Sequence, residues 1–254
     1  MNLIYAALIA VSMYSKIPVP QIEWNKERMR YSLCFFPLVG AVIGALMLLW
    51  MQFGTKLTGE NGFYTAVLVL IPVLVSGGIH LDGYLDTCDA LSSYQTMERR
   101  LEILKDSNSG AFAIIMGGCY FILNYGVFTA VTFEQMKVLC AGYCLSRACS
   151  ALSIVRFKKA RTSGLAAAFS DAAQVQTITV VSGIIIALCA VYMLWQNPLF
   201  GSAALAACLL SFLMYRRISY KNFGGMTGDL AGFFLQICEL TMACFVVISA
   251  NLFN

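Results

Sequence analysis

Apolar residues run along this chain in long unbroken blocks, and the polar residues gather in the shorter stretches between them. Seven blocks, roughly 33–53, 63–79, 111–131, 138–155, 176–195, 199–215 and 230–252, are long enough to cross a bilayer at about 17–25 residues per crossing. In lipid, backbone N–H and C=O groups must find partners within their own segment, which predicts helices. The short alternating strands of a membrane barrel are missing. The opening run MNLIYAALIAVSMY is short for a crossing, ends before Pro18 and Pro20, and lacks the basic start and small-residue cleavage site of a signal peptide. It predicts an interfacial or half-inserted helix. The expected fold is all-α: a polytopic transmembrane helical bundle of about seven spans plus this short N-terminal helix. With no linker, low-complexity tract or repeat, residues 1–254 read as one integral membrane catalytic domain.

Composition agrees. Of 254 residues, 59% are hydrophobic and 12% charged, with a mean hydropathy of +0.75, against about 25% charged in soluble domains. A bilayer is therefore the first partner. The net charge of +4 is spread over loops and gives no sign of a nucleic-acid partner. Its distribution predicts topology instead. Lys16, Lys26, Arg28, Arg30, Arg99, Arg100, Lys105, Arg156, Lys158, Lys159, Arg161, Arg216, Arg217 and Lys221 fall in alternate loops, whereas the intervening loops hold only Lys56 and Lys137. Basic loops stay in the cytoplasm, which places the C-terminus outside. The ten cysteines form no C-x-x-C pair, and His80 is the sole histidine, so neither a zinc site nor a disulfide framework is expected.

Chemistry concentrates after the second block, in GGIHLDGYLDTCDALSSYQTMERRLEILKDSNSG. Asp82, Asp86 and Asp89 stand at i, i+4 and i+7, which on a helix confines them to about 60° of one face. Three carboxylates together at a membrane boundary are stable only when protonated or bound to a cation. An all-oxygen set favours a hard cation, Mg²⁺ or Mn²⁺. A solvated helix face is the plain alternative, but it leaves the interleaved Leu81, Tyr84, Leu85 and Leu91 unexplained; they predict a packed opposite side. Gly77, Gly78 and Gly83 permit close backbone approach. His80 suits phosphate contact, proton transfer or a structural hydrogen bond. Lys105, Asp106, Ser107 and Asn108 suit phosphate and ribose, or a helix cap. Arg147 lies deep in the fourth block, where a cation calls for an acidic partner or an anionic ligand. In GGMTGD, Thr227 and Asp229 stand at the mouth of the last block, with Glu239 deeper. Asp229 suits a metal or a substrate hydroxyl, with a helix cap as the alternative. The loop count puts the acidic motif, Lys105, Asp106 and Asp229 on one face.

At HLDGYLDTCDAL the chain resembles the cobalamin synthase family, the adenosylcobinamide-GDP ribazoletransferases. The likeness continues through MERRLEILKDSNSG, SRA around Arg147, GGMTGD, and the early PVP and FFPLVGAVIGA. It departs at Lys105, where the family often has arginine, and at Met226, where it often has a polar residue. The resemblance implies transfer of the adenosylcobinamide-phosphate group of adenosylcobinamide-GDP to a hydroxyl of α-ribazole or its 5′-phosphate. The products are adenosylcobalamin, or its 5′-phosphate, and GMP. It also implies Mg²⁺ as cofactor and a bacterial inner-membrane location. On that reading Asp82, Asp86 and Asp89 hold the metal, and one of them or His80 accepts the hydroxyl proton. Lys105, Asp106, Ser107, Asn108, Arg147, Thr227 and Asp229 then contact substrate. Homo-oligomers and association with other nucleotide-loop enzymes stay open.

Two other functions compete. A lipid-forming CDP-alcohol phosphotransferase also carries a D-G motif, but Asp86-Thr87 stands where that motif has Ala-Arg. A transporter would place its acids near the midplane with internal repeats; here no repeat is found and the clustered acids lie near one surface.

Overall fold

Helix breakers and small residues, more than hydrophobicity, decide how the apolar blocks are arranged, because lipid tails compete equally for any apolar face. The structure, a computed structural model, describes residues 2–253 except 107 and 163. A short helix α1 (Asn2–Tyr14) and one turn of helix α2 (Lys26–Met29) precede a 3₁₀ turn at Ser32–Phe35 and the long α3 (Phe36–Thr58). Then come α4 (Gly62–Ser76), α5 (Ile79–Ser92), α6 (Met97–Ile103), α7 (Ala111–Ala130) and α8 (Phe133–Arg156). The chain closes with α9 (Leu165–Ala172), α10 (Val175–Gln196), α11 (Pro198–Phe223) and α12 (Gly228–Phe253). Among the described residues the one β-bridge is an isolated one between Lys159 and Met226.

Six segments are long and apolar enough to cross a bilayer: α3 with the turns before it, α7, α8, α10, α11 and α12. The remaining block, the second along the chain (63–79), is shorter than its apolar run suggested. α4 has 15 residues, about 22 Å at 1.5 Å per residue, and the chain bends by 95° between α4 and α5. Gly77 and Gly78 make that corner with φ of 65° and 81°, values that glycine adopts without steric cost. Their N–H groups donate to the carbonyls of Leu74 and Val73 and so close the end of α4. We read α4 as the seventh crossing and α5 as a helix lying across the end of the bundle that carries the basic loops.

α8 is the central staff, with Leu145, Ser146, Arg147, Ala148, Ser150 and Ala151 all nearly sealed from the surface. Its approach to α3 is set by Gly40 and Gly44, a G-x-x-x-G pair. A Cβ on Gly40 would lie 2.2 Å from the Tyr143 carbonyl oxygen, and one on Gly44 2.6 Å from that of Cys140. Backbones this close gain the dispersion contacts and weak hydrogen bonds that hold helices together in lipid. The outer faces of α7 and α10 expose Ile114, Ile122, Val180, Leu188 and Val191, as helices facing lipid do. The cysteines are all free thiols, and five of them are buried.

Replacing Gly40 by leucine should therefore separate α3 from α8 and lower stability by at least about 1–3 kcal/mol, the usual cost of overpacking. Gly126→Leu, where a side chain meets open space, should leave the melting midpoint of the detergent-solubilised protein unchanged. Equal midpoints for the two variants would mean that the α3–α8 contact does not carry the packing.

Candidate active site

The site is assembled where α5 crosses the start of α12. On its packed side α5 buries Tyr84 between Tyr120, at 5.2 Å between ring centroids, and Phe233, at 5.8 Å. The Tyr84 hydroxyl donates to the Met116 carbonyl at 3.3 Å, while Leu81 and Leu85 pack alongside. The other side carries Asp82, exposed, with Asp86 and Asp89 half-buried. Two glycines let the helices touch. A Cβ on Gly83 would stand 2.7 Å from the Asp229 carbonyl oxygen, and one on Gly232 2.9 Å from that of His80. Any side chain at either position would push Asp82 and Asp86 away from Asp229.

The carboxylates then meet different fates. Asp89 accepts a hydrogen bond from the Gly110 N–H at 3.1 Å, which ties α5 to the start of α7. Asp229 accepts from the Thr227 hydroxyl at 3.4 Å and lies 3.9 Å from the Arg161 guanidinium. The Thr227 hydroxyl also accepts from the Leu230 N–H at 3.2 Å, capping α12. Among the described residues, no side-chain hydrogen bond or ion pair engages the carboxylates of Asp82 and Asp86. Burial, and then the charges of Asp82, Asp229 and Asp89, push Asp86 up to about 7. A carboxylate in that position favours either a proton or a cation.

Arg161 is brought in from far along the chain. The bridge at Lys159 and Met226 is made by Met226 N–H to Lys158 C=O at 2.7 Å and Ala160 N–H to Met226 C=O at 2.9 Å. Gly225 approaches the Lys158 carbonyl so closely that a Cβ would fall 2.4 Å from its oxygen. This tether sets the loop after α8 against the GGMTGD turn, and Arg161 also donates to the Leu101 carbonyl. The basic-loop count includes Arg161 only as a topological charge; nothing in its local sequence marks it as a neighbour of Asp229.

Behind this rim lies a cavity of about 390 Å³. Asp82, Asp229, Thr227, Lys159 and Arg161 line its polar side, and Tyr14, Phe36, Ile154, Phe169 and Leu235 its apolar side. His80 and Ser150 line it as well. His80 is fully enclosed, and burial together with the positive charge of Arg147 holds it well below the ordinary imidazole value. It is therefore a neutral ring and a poor acceptor for a hydroxyl proton.

Several sequence expectations change in three dimensions. The expected three-aspartate metal set is not assembled: among the described residues, no group of three His, Cys, Asp or Glu side chains is placed to hold one ion. Arg147, expected to await an acid or a ligand, is 2.7 Å from Glu239, donates to the Tyr143 carbonyl at 2.9 Å, and lies outside the cavity lining. Ser146 donates to the same Glu239 oxygen at 2.8 Å. Lys105, Asp106 and Asn108 are exposed and off the cavity. Asp106 accepts from the Asn108 backbone and amide, which hold it below the usual carboxylate range. Ser107 lies outside the described residues.

Carboxylates left unpaired at a bilayer boundary cost stability and mark a functional site, and the protein that carries them is an integral membrane protein with that site at one end of its helical bundle. The chain belongs to the cobalamin-5-phosphate synthase family, whose model matches residues 6–247. It is 47% identical over 241 residues to an adenosylcobinamide-GDP ribazoletransferase of Lachnoclostridium phytofermentans, covering 95% of this chain and 92% of that one. Proteins of the same name from Clostridium perfringens strain 13 (32% over 246 residues; 95% and 97% of the two chains) and a Geobacillus species (30% over 250 residues; 94% of each) are also similar. No solved structure matches the chain.

Two measurements probe these charges. Glu239→Gln strands the Arg147 cation, which is 1% exposed, and should cost about 3–5 kcal/mol in thermal unfolding; a loss under 1 kcal/mol would mean the pair is not closed off as described. For Asp86, the unfolded carboxyl ionises near pH 4 and the folded one near 7. Between those values the folded state holds the extra proton, so without divalent cation stability should fall as pH rises from about 4 to about 7 and then level. Asp86→Asn should remove that fall, as read from melting midpoints across the pH range.

Proposed function

We propose that this chain transfers the adenosylcobinamide-phosphate group of adenosylcobinamide-GDP to a hydroxyl of α-ribazole, or of its 5′-phosphate. Adenosylcobalamin, or its 5′-phosphate, and GMP are released, as the names of the family and of its relatives suggest. The observation that carries the reading is a pair of carboxylates without partners, Asp82, which lines the cavity with Asp229 and Arg161, and Asp86, which shares the field of Asp82 and Asp229. In the reaction the α-ribazole 3′-hydroxyl attacks the phosphorus next to the aminopropanol of cobinamide, and the bond to the GMP oxygen breaks.

Mg²⁺ would fit this donor set, hard carboxylate oxygens of which two side chains are otherwise unpaired, since this ion takes few protein carboxylates. Asp82 and Asp86 would hold it, and it supplies charge neutralisation at the pyrophosphate. Asp229, steadied by Thr227 and Arg161, orients the ribose hydroxyl and takes its proton. Arg161 and Lys159 offset phosphate charge at the rim. The strong bias of lysine and arginine to this end supports a site facing the cytoplasm, a C-terminus outside and residence in the cytoplasmic membrane.

Purified protein in nanodiscs, given both substrates and saturating Mg²⁺, should release GMP and a cobalamin detectable by mass spectrometry. Asp82→Asn should cut turnover at least about 100-fold. Near-normal turnover of that variant, or full-rate product formation in excess EDTA, would refute the ligand role.

A further inference from the structure

The bundle supplies most of the cavity wall, but Gly164, Leu165, Ala166, Ala167 and Phe169 line it from the segment that carries α9. With eight residues, α9 is too short to be stable as an isolated helix, so its docking holds it in place. Phe169 lies 5.9 Å from the rings of both Tyr14 and Trp24 and forms a small apolar cluster of its own with Ile9 and Met29. The chain enters α9 through Gly164, at a φ of 101° and with open space where a Cβ would stand. It leaves through Gln174, whose N–H donates to the Arg30 carbonyl at 3.0 Å. One charged contact spans this strap. The backbone of Lys159 is pinned to Met226 by the bridge, the residue lines the cavity, and its Nζ meets the Asp171 Oδ1 of α9 at 2.5 Å.

We propose that the Lys159–Asp171 pair is a latch that holds α9 against the cavity, and that a phosphate group entering the cavity opens it by taking Lys159 from Asp171. Naming that anion as a phosphate of the substrate rests on the function proposed above; the latch itself rests on the geometry. Asp171 stands in the last turn of α9, where the exposed helix carbonyls disfavour a negative charge. It therefore does nothing for the helix it belongs to, and its gain comes from the ammonium of Lys159. The pair is 31% and 52% exposed, and contacts of that kind are weak, so a phosphate can displace the carboxylate. Arg161 offers such an anion a second cation. It lines the same cavity, its Asp229 partner stands at 3.9 Å, and its Nε is buried without a hydrogen-bond partner. Asp171 and the phosphate compete for one ammonium. An anion bound at Lys159 thus favours the released strap, and release of the strap favours the anion by the same factor. The hinge is Gly164, and the small Phe169 cluster can shift without opening the main core.

Hydrogen exchange of the α9 amides, followed by mass spectrometry on the full chain in nanodiscs, reads the latch, with inorganic pyrophosphate as the anion. Asp171→Asn should speed that exchange about two- to fivefold, the span that an exposed ion pair supplies, and leave the amides of α8 and α12 unchanged. A purely local effect would run the other way, because removing an acid from the last turn stabilises a helix. Pyrophosphate should speed α9 exchange in the wild type toward the level of the variant, do nothing further in the variant, and bind the variant more tightly by the same factor. The exchanged pair, Lys159→Glu with Asp171→Lys, should restore slow exchange and lose the response to pyrophosphate. Unchanged or slower α9 exchange in Asp171→Asn overturns the latch. So does wild-type α9 that pyrophosphate leaves alone or protects, or an exchanged pair as fast as Asp171→Asn. Release of α9 by pyrophosphate in protein that makes no GMP from the two substrates would keep the latch and reject the proposed reaction. Turnover by protein whose α9 ignores Asp171→Asn would keep the reaction and reject the latch.

Discussion

The crossing of α5 over the first turns of α12 governs the rest of this molecule. Gly83 and Gly232 let two helix backbones come within van der Waals contact, and only at that distance do Asp82 and Asp86 share a field with Asp229. The energetic consequence is a conflict. Apolar packing of Tyr84 against Tyr120 and Phe233 stabilises the crossing, while the acids it juxtaposes repel. The fold accepts the repulsion because the packed side of α5 is extensive. A proton, or the proposed cation, would offset what remains.

Deeper in the bundle the opposite solution operates. Arg147 and Glu239 sit at 1% and 8% side-chain exposure and close on each other at 2.7 Å, with Ser146 and the Tyr143 carbonyl taking up further bonding capacity. Charges that deep in lipid survive only as pairs. The two arrangements divide the labour: a closed pair inside, which holds α8 to α12, and open carboxylates at the mouth, which are free to meet a ligand. His80 stands between them, kept neutral by burial and by Arg147.

Several features were legible in the chain because they are local. The period of the acids on α5 and the apolar residues interleaved with them foretold a helix packed on one side, and Tyr84 and Leu85 do pack there. Gly77 and Gly78 were visible as special positions, yet their effect, a corner that ends α4 early, depends on backbone torsions that composition does not reveal. Asp89 belonged to the acidic pattern by spacing, but its hydrogen bond from Gly110, a residue beyond α6, was not visible there. Arg161 carried no local mark at all, since a backbone bridge to Met226 positions it.

Taken alone, the sequence determined that the chain is a helical membrane protein, which end of the bundle carries the basic loops, and which stretch carries the chemistry. Those properties follow from lipid solvation, charge and helical periodicity, which act on neighbours along the chain. Tertiary structure alone decided which carboxylates stay unpaired, that Glu239 answers Arg147, that Arg161 faces Asp229, and that a cavity lies behind them. Each of these joins residues of different helices, at separations where only the packing of backbones at glycine contacts sets the distance.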